Sequence, residues 1–500
     1  MSSSVEEKQP IETGESFMPD SPKTAGTDAM KADDEPIDPK AERKLLWKLD
    51  LVIYPIFFVI YMMSFLDRIN ISNAKIQGMD EDLGLNEGNR FAVALFVYYI
   101  SYILLEIPSN MIIKKVRPSL YLSALMFVWG IMNMCMGFVH SYGALVALRF
   151  LLGVFEAGVL PGIIYVTSMY YKRHEFQRRM SFFFCSTVVA GAFGGLLAFA
   201  IAKMGGTAGL AAWRWIFIIE GAATSAIAIV AAFVVIDWPE QTRYLNAEEK
   251  DLLRRRMATD VGDSCRMDTL NKFSWGLIWP DYKIWLGALI YMGVSVPGLS
   301  GTFFLPTILL EFGWQAQEAQ VRTIPVYAFA AGCMIIGAWA SDKTKNRSGF
   351  ILTGTAMVTI GYAMLLSQEG KSRAYKFGAV FPVFGGAYMV TPMALGWLQN
   401  NLSGHWKRSF GASTQITIGN IAGIIGANLF PPTDAPAYVM GYGTALGFMW
   451  LGAGCVALMA VLMWRENRKR AAGERDDRLS LPEEDLNNMG DSHPSFRYTL

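Results

Sequence analysis

Residues 51–74 read LVIYPIFFVIYMMSFLDRINISNA, and this stretch points to a membrane protein. No charged side chain occurs from Leu51 to Leu66, and a hydrocarbon core of about 30 Å needs about 20 residues to cross it. Asp67 and Arg68 follow within the same helical pattern, which continues to Ala74. The stretch therefore predicts a transmembrane helix that carries two charged residues at depth.

Eleven further apolar runs of similar length follow along the chain. Lipid offers no partner to free backbone amides and carbonyls, so each run must be helical. With the first run they predict twelve spans, near 49–69, 91–113, 119–139, 143–170, 180–202, 214–236, 284–310, 322–341, 350–367, 375–398, 409–430 and 438–464. Six precede the polar segment 238–283 and six follow it. This predicts an all-α membrane protein with twelve transmembrane helices in two six-helix bundles, although composition alone does not exclude other twelve-span folds.

Composition excludes several classes of protein. Hydrophobic residues make up 52% of the chain and charged residues 17%, against about 25% charged in a typical soluble domain. The net charge of +1 leaves no basic surplus for a nucleic-acid partner. The five cysteines are scattered without a CxxC pair, so we expect no disulfide framework, metal site or cofactor. No Ser/His/Asp, HExxH or GxxxxGK[ST] arrangement favours an enzyme.

The polar segments predict the domain organisation and the orientation. Residues 1–44 and 465–500 are expected to be disordered cytoplasmic tails, 45–237 and 284–464 the two bundles, and 238–283 a cytoplasmic linker with one amphipathic helix. The four loops on the linker side hold twelve Lys and Arg residues, and the linker adds eight from Arg243 to Lys283. Positive charge concentrates in cytoplasmic loops, so both termini are predicted to be cytoplasmic.

Charged residues within the apolar runs are the candidate functional site. Each Asp, Lys or Arg at a helix centre costs about 2.5–3.5 kcal/mol by insertion scales, so such residues are kept for a purpose. Arg149 and Glu156 are seven residues apart and project from one helix face, with Arg149 at a depth comparable with Arg68 and Glu156 near mid-membrane. We expect the two arginines to bind an anion and the two carboxylates to exchange protons. The alternative for the Asp67–Arg68 pair is a snorkelling ion pair at the outer interface.

Other polar and small residues give weaker indications. Asn70 and Gln415 are predicted to complete the substrate site, although Gln415 serves equally well as a hydrogen-bonding contact between helices. Pro297 and Gly298 predict a gate hinge, with an ordinary helix kink as the alternative. Pairs of glycines four residues apart, at 158/162, 191/195 and 419/423, predict close approach of helix backbones. For Glu106 and Glu220 a structural role is favoured over a role in substrate binding.

Four stretches together resemble the fungal allantoate and nicotinate permeases, in the anion:cation symporter branch of the major facilitator superfamily. They are LDRINISNAK at 66–75, RFLLGVFEAG at 149–158, YKRHEFQRR at 171–179 and WRWIFIIEG at 213–221. The resemblance covers about residue 45 to residue 465. It implies proton-linked uptake of a small organic anion, such as nicotinate, biotin, pantothenate or allantoate, by alternating access. It also implies roles in proton coupling and substrate binding for Asp67, Arg68, Arg149 and Glu156.

The same resemblance identifies a gating motif and a location. The superfamily's inner-loop signature is matched by Ala338 to Lys343, which includes Asp342, with Arg347 beyond it; Ala338 replaces the usual glycine. After the second span, Lys114 stands where the signature has an aspartate. The expected setting is a fungal plasma membrane, with a monomer favoured. Export of a secondary metabolite, or nutrient sensing without transport, are the alternatives to uptake.

Overall fold

The computed structural model describes residues 38–261, 272–344, 346–480 and 489–500. The predicted tail residues 1–37, linker residues 262–271 with Cys265, Lys345 and residues 481–488 lie outside the described residues. All regular secondary structure in the described part is helical. The first half contains α1 Pro39–Ala74, α2 Asp80–Leu83, α3 Arg90–Ile113, α4 Pro118–Met136, α5 Tyr142–Glu156, α6 Val159–Ser168, α7 Arg173–Ala202 and α8 Ala212–Val234.

Two short helices, α9 Ala247–Val261 and α10 Lys272–Ile278, precede the second half. That half contains α11 Tyr282–Glu311, α12 Ala316–Thr344, α13 Arg347–Leu366, α14 Arg373–Asn400, α15 His405–Ala427 and α16 Val439–Ala471. Among the described residues, eleven helical stretches are long and apolar enough to cross a membrane. The remaining long helix, α15, is more polar and packs against α3, α11 and α14. The predicted all-α fold of twelve spanning helices is confirmed, while the bundle boundaries stay predictions.

The twelve spans define two faces of the molecule. We call the end that carries α9 and the start of α1 the linker face, and the opposite end, where α1 finishes, the distal face. At the distal face α1 continues through a π-helical turn, Lys75–Met79, into α2. Gly78 has φ +97°, a backbone conformation that side chains disfavour, and it redirects the chain there.

The fourth predicted span, 143–170, is two helices instead of one. α5 ends at Glu156 and α6 begins at Val159. A Cβ atom on Gly158 would lie 1.9 Å from Ser109 Oγ, so α3 leaves no room for a side chain there. The break places Glu156 at a helix end, deep in the first half.

The two halves meet mainly along two helix pairs, α7 with α12 and α3 with α15, with smaller contacts of α1 with α11 and of α7 with α14. A Cβ atom on Gly195 would lie 2.3 Å from Thr323 Oγ1, and one on Gly423 would lie 2.4 Å from a ring carbon of Tyr99. The glycine spacing at 191/195 and 419/423 therefore permits close approach, as predicted, and the partners belong to the opposite half.

The linker helix α9 is tied to the start of α1. Lys48 Nζ donates to Glu249 at 2.7 Å, and Arg256 Nε donates to Glu42 Oε1 at 2.7 Å. Asp38 caps α1 by accepting from Lys40 N. The prediction of a disordered N-terminal tail to residue 44 is therefore wrong for Pro39–Lys44, because these residues extend α1 and contact the linker.

Residues 489–500, called here the clasp segment, fold back under the second half at the linker face. Arg470 of α16 donates to the carbonyls of Asp491, His493 and Phe496. Further along the segment, the Tyr498 amide donates to Asn467 and the Thr499 amide donates to Asn401. Trp397 donates to the Thr499 carbonyl, and the Arg347 amide donates to the Leu500 carbonyl. The prediction of a disordered tail is therefore wrong here, because α13, α14 and α16 all bind this segment.

Candidate functional site

Asp67 and Arg68 are both buried, but they point to different neighbours. Successive residues on an α-helix are rotated by about 100°, so adjacent side chains cannot face the same partner. Asp67 lies between α1, α4 and α8. Its carboxylate accepts from Trp129 Nε1 at 3.0 Å, Asn133 Nδ2 at 2.7 Å and Thr224 Oγ1 at 3.0 Å.

Arg68 forms a buried ion pair with Glu156. Arg68 Nη2 lies 2.6 Å from Glu156 Oε1, and the same oxygen accepts from Ser64 Oγ at 2.5 Å. Relative exposures of 6% for Arg68 and 0% for Glu156 place the pair inside the protein. The snorkelling alternative for Arg68 is excluded, because its guanidinium points into the first half.

Arg149 completes this cluster from α5. Its Nε donates to the Ala94 carbonyl at 3.2 Å, and Nη2 donates to the Arg68 carbonyl at 3.3 Å. The guanidinium carbons of Arg68 and Arg149 lie 5.1 and 5.6 Å from the centre of the Tyr98 ring. Three of the four predicted charges, Arg68, Arg149 and Glu156, are thus brought together, whereas Asp67 occupies a separate site.

Aromatic rings surround the Arg68 guanidinium, a feature that the sequence analysis missed. Besides Tyr98, the rings of Phe65, Tyr99 and Tyr102 have their centres 6.0, 5.9 and 5.6 Å from Arg68 Cζ. Cations over aromatic faces are attracted by the ring quadrupole, more strongly when water is excluded. The signal was available: Tyr98 and Tyr102 are four residues apart, on one helix face.

Several polar atoms of this cluster have no protein partner. Within the described residues, Arg68 Nε, Arg149 Nη1, Glu156 Oε2, Tyr98 OH and Tyr99 OH are buried without a hydrogen bond. Buried polar atoms are nearly always paired, so such a concentration indicates a place for a polar guest. Guanidinium N–H groups and phenol hydroxyls suit an anionic oxygen.

A small cleft lies between the two halves. Ile69 and Asn73 line it from α1, Gly195 from α7, Thr302 from α11 and Tyr327 from α12. Ile69 follows Arg68 in α1 but is rotated by about 100° from it, so the cleft opens on a different side of the helix from the cluster.

Two predicted substrate residues lie elsewhere. Asn70 Nδ2 donates to Glu220 Oε2 at 2.6 Å, within the first half. Gln415 Nε2 donates to the carbonyls of Gly287 and Ala394 at 3.1 and 3.0 Å, within the second half. The structure does not bring either side chain to Arg68, and their roles in substrate binding stay predictions.

The predicted gating residues occupy two separate places. Asp342 and Arg347 lie at the linker face, with Arg347 Nη2 3.5 Å from Asp342 Oδ1. Pro297 and Gly298 lie inside α11, which is continuous from Tyr282 to Glu311. A Cβ atom on Gly298 would meet nothing within 4 Å, so this side of the helix is open. Their roles as latch and hinge stay predictions.

Comparisons with known proteins agree with this architecture. Residues 57–427 match the Major Facilitator Superfamily. An uncharacterized transporter of Schizosaccharomyces pombe is 34% identical over 471 residues, which cover 93% of this chain and 91% of that protein. The high-affinity nicotinic acid transporter of Saccharomyces cerevisiae is 29% identical, over 91% of this chain and 85% of that protein.

Solved structures share the fold at low sequence identity. The partially occluded inward-open xylose transporter XylE from E. coli superposes with a TM-score of 0.60 at 15% identity, covering 83% of this chain and 97% of XylE. This likeness shows the fold, and the family follows from the sequence match over residues 57–427 and from the 34% identical relative. The chain belongs to the Major Facilitator Superfamily and is a multi-pass membrane transporter of that family.

Proposed function

We propose that this transporter takes up a small organic anion together with protons, by alternating access, across a fungal plasma membrane. The observation that carries the proposal is the buried ion pair of Arg68 with Glu156, 2.6 Å apart, in a site that Arg149 also lines. Arg68 and Arg149 hold the anion in this proposal, and Glu156 and Asp67 exchange protons.

The charges of the cluster provide a reason for coupling. Two guanidinium groups against one carboxylate leave a net charge of +1. A bound monocarboxylate changes this by −1 and a proton on Glu156 by +1, so binding both keeps the net charge at +1. A proton on Glu156 without the anion would leave two uncompensated positive charges in a low-dielectric interior, which is costly, so the anion offsets the charge that the proton adds.

Competition for Arg68 supplies the coupling step. Arg68 Nη2 donates to Glu156 Oε1, so ionised Glu156 competes with a substrate carboxylate for this guanidinium. A proton on Glu156 removes its charge and weakens this pair, and the freed guanidinium can then fork onto a carboxylate bidentately. Substrate and proton thereby favour each other, which is the thermodynamic condition for symport.

The substrate class rests on the site and on one relative. The surrounding tyrosine rings favour a flat or partly apolar acid, because rings stack on aromatic faces. A relative bears the name high-affinity nicotinic acid transporter. We propose a carboxylate such as nicotinate, biotin, pantothenate or allantoate, and membership of the anion:cation symporter branch. The linker face is cytoplasmic in this proposal.

Flux measurements in proteoliposomes test the proposal. Uptake of the four labelled acids is measured with and without an inward proton gradient, and we expect accumulation of at least one against its gradient. Glu156→Gln should abolish accumulation while preserving counterflow, because the neutral amide forms no ion pair with Arg68 and cannot exchange a proton. Glu220→Gln is the matched control, since Glu220 is also buried in the first half but pairs with Asn70.

Three outcomes would overturn the proposal. Gradient-driven accumulation that survives in Glu156→Gln would remove Glu156 from the coupling step. Net export under an inward proton gradient would identify an exporter. Saturable binding of an acid without flux would identify a sensor.

A further inference from the structure

Lys75, at the distal end of α1, is a buried cation without an ion-pair partner. Its relative exposure is 7%, and its Nζ lies 4.3 Å from the centre of the Phe91 ring. Among the described residues, no carboxylate lies within ion-pair distance of this ammonium group. Two nearby acids have other partners: Glu311 accepts from Tyr438 OH at 2.5 Å, and Asp80 accepts from Asn86 at 3.0 Å.

The Lys75–Phe91 contact repeats the Arg68–Tyr98 contact two helical turns nearer the distal face. Lys75, the first residue after α1, follows Arg68 by seven residues, and Phe91 precedes Tyr98 by seven on the antiparallel α3. Seven residues span about 10 Å of helix and return to nearly the same face. The same arrangement of a cation over an aromatic ring therefore occurs twice along this pair of helices. Lys75 and Phe91 form it at the distal face, and Arg68 and Tyr98 form it in the central cluster.

Lys75 lines a cavity that both halves build at the distal face. Asn89 and Phe91 contribute to its wall from the first half, and Phe304 and Asn428 from the second half. Asn89 and Asn428 are exposed to solvent, so the cavity communicates with the distal side. The Lys75 ammonium group in this cavity can bind an anion, because no neighbouring carboxylate forms an ion pair with it.

We propose that Lys75 forms an outer binding subsite for a small carboxylate, which rests there before it reaches Arg68 and Arg149. This proposal rests on the proposed uptake of an organic anion, since it gives the anion a first binding position on its path. The Lys75 ammonium attracts the carboxylate, Asn89 supplies amide N–H groups, and the Phe91 ring packs against the body of the acid.

A measurement of the electrostatic potential in the cavity tests the subsite and does not require that the substrate be known. In a protein whose five native cysteines are replaced by serine, Asn428→Cys places a thiol in the cavity wall. The thiol is labelled with an anionic sulfonatoethyl and a cationic trimethylammonioethyl methanethiosulfonate. We expect Lys75→Gln to lower the ratio of anionic to cationic labelling rates at least fivefold. Lys203→Gln, an exposed distal lysine over the Phe199 ring, should leave the ratio unchanged.

Transport kinetics give the second measurement. For the acid that the flux screen identifies, Lys75→Gln should raise KM at least fivefold with little change in the maximal rate, and Lys75→Arg should restore KM. An unchanged labelling ratio overturns the subsite, as does an unchanged KM. If Glu156→Gln behaves as proposed and the labelling ratio does not change, the subsite alone fails. If the ratio falls and no acid is transported, the proposed function fails and the anion-attracting site remains.

Discussion

Replacing Asp491 by Asn should destabilise the second half, although Asp491 lies after its last helix, α16. Its carboxylate is fully buried in the clasp segment and lies 2.9 Å from both Lys283 Nζ and Lys407 Nζ. Asp281 also pairs with both lysines, at 2.8 Å from Lys283. The group therefore contains two cations and two carboxylates in balance, and the substitution leaves one excess buried positive charge.

The magnitude follows from that imbalance. Removing one partner of a buried ion pair costs about 3–5 kcal/mol when the other charge is left alone. Asp281 still pairs with both lysines, so we expect a smaller loss, about 2–3 kcal/mol. The second half, predicted at residues 284–464, has the size for which 1 kcal/mol shifts the melting temperature by about 2–4 °C, so as one unfolding unit it should melt roughly 4–12 °C lower.

The effect should depend on pH in a defined direction. Burial alone would raise the pKa of Asp491, but Lys283 and Lys407 outweigh it and hold the pKa below its ordinary value. A carboxylate with a lowered pKa in the folded state stabilises the protein above its unfolded pKa, about 3.9 for Asp, and this is lost as pH falls further. The difference between native protein and Asp491→Asn should therefore be full at pH 7 and shrink below about pH 4.

The assay is thermal unfolding of the purified protein in detergent, followed by intrinsic tryptophan fluorescence at several pH values. Asp477→Asn is the matched control, because Asp477 is exposed in the same C-terminal region. Equal melting temperatures for Asp491→Asn and native protein at pH 7 would refute the reasoning. A difference that persists undiminished at low pH would show that the lost carboxylate charge is not its cause.

Three further substitutions test other parts of the structure. Gly195→Val should lower the maximal transport rate at least tenfold with normal folding yield, because a side chain there meets Thr323 where the halves close; unimpaired flux would contradict this interface. Tyr98→Phe should raise substrate KM severalfold without changing the melting temperature, because its hydroxyl has no protein partner among the described residues; an unchanged KM would remove that hydroxyl from the site. Asp67→Asn should lower the unfolding free energy by about 1–3 kcal/mol, because an amide nitrogen at either carboxylate position would face an N–H donor, from Trp129 or from Asn133; equal melting temperatures in detergent would contradict this network.

The sequence by itself determined the membrane class, the twelve helices and the depth of the charged residues. Apolar runs of about 20 residues have one stable solution in lipid, and a charged residue within such a run must face the interior. The glycine spacing also predicted close helix approach, since the absence of a side chain is a property of the residue itself. These features are local, and local patterns fix them.

Only the tertiary structure decided which of those residues meet. Asp67 and Arg68 are adjacent in sequence, yet one binds α4 and α8 and the other pairs with Glu156. The order of the clasp segment could not be predicted either, because the sequence does not show that Lys283 and Lys407 lie beside Asp491. Contacts between distant residues depend on the rotation and packing of whole helices, and the repeat along one helix does not specify the neighbour that its face will meet.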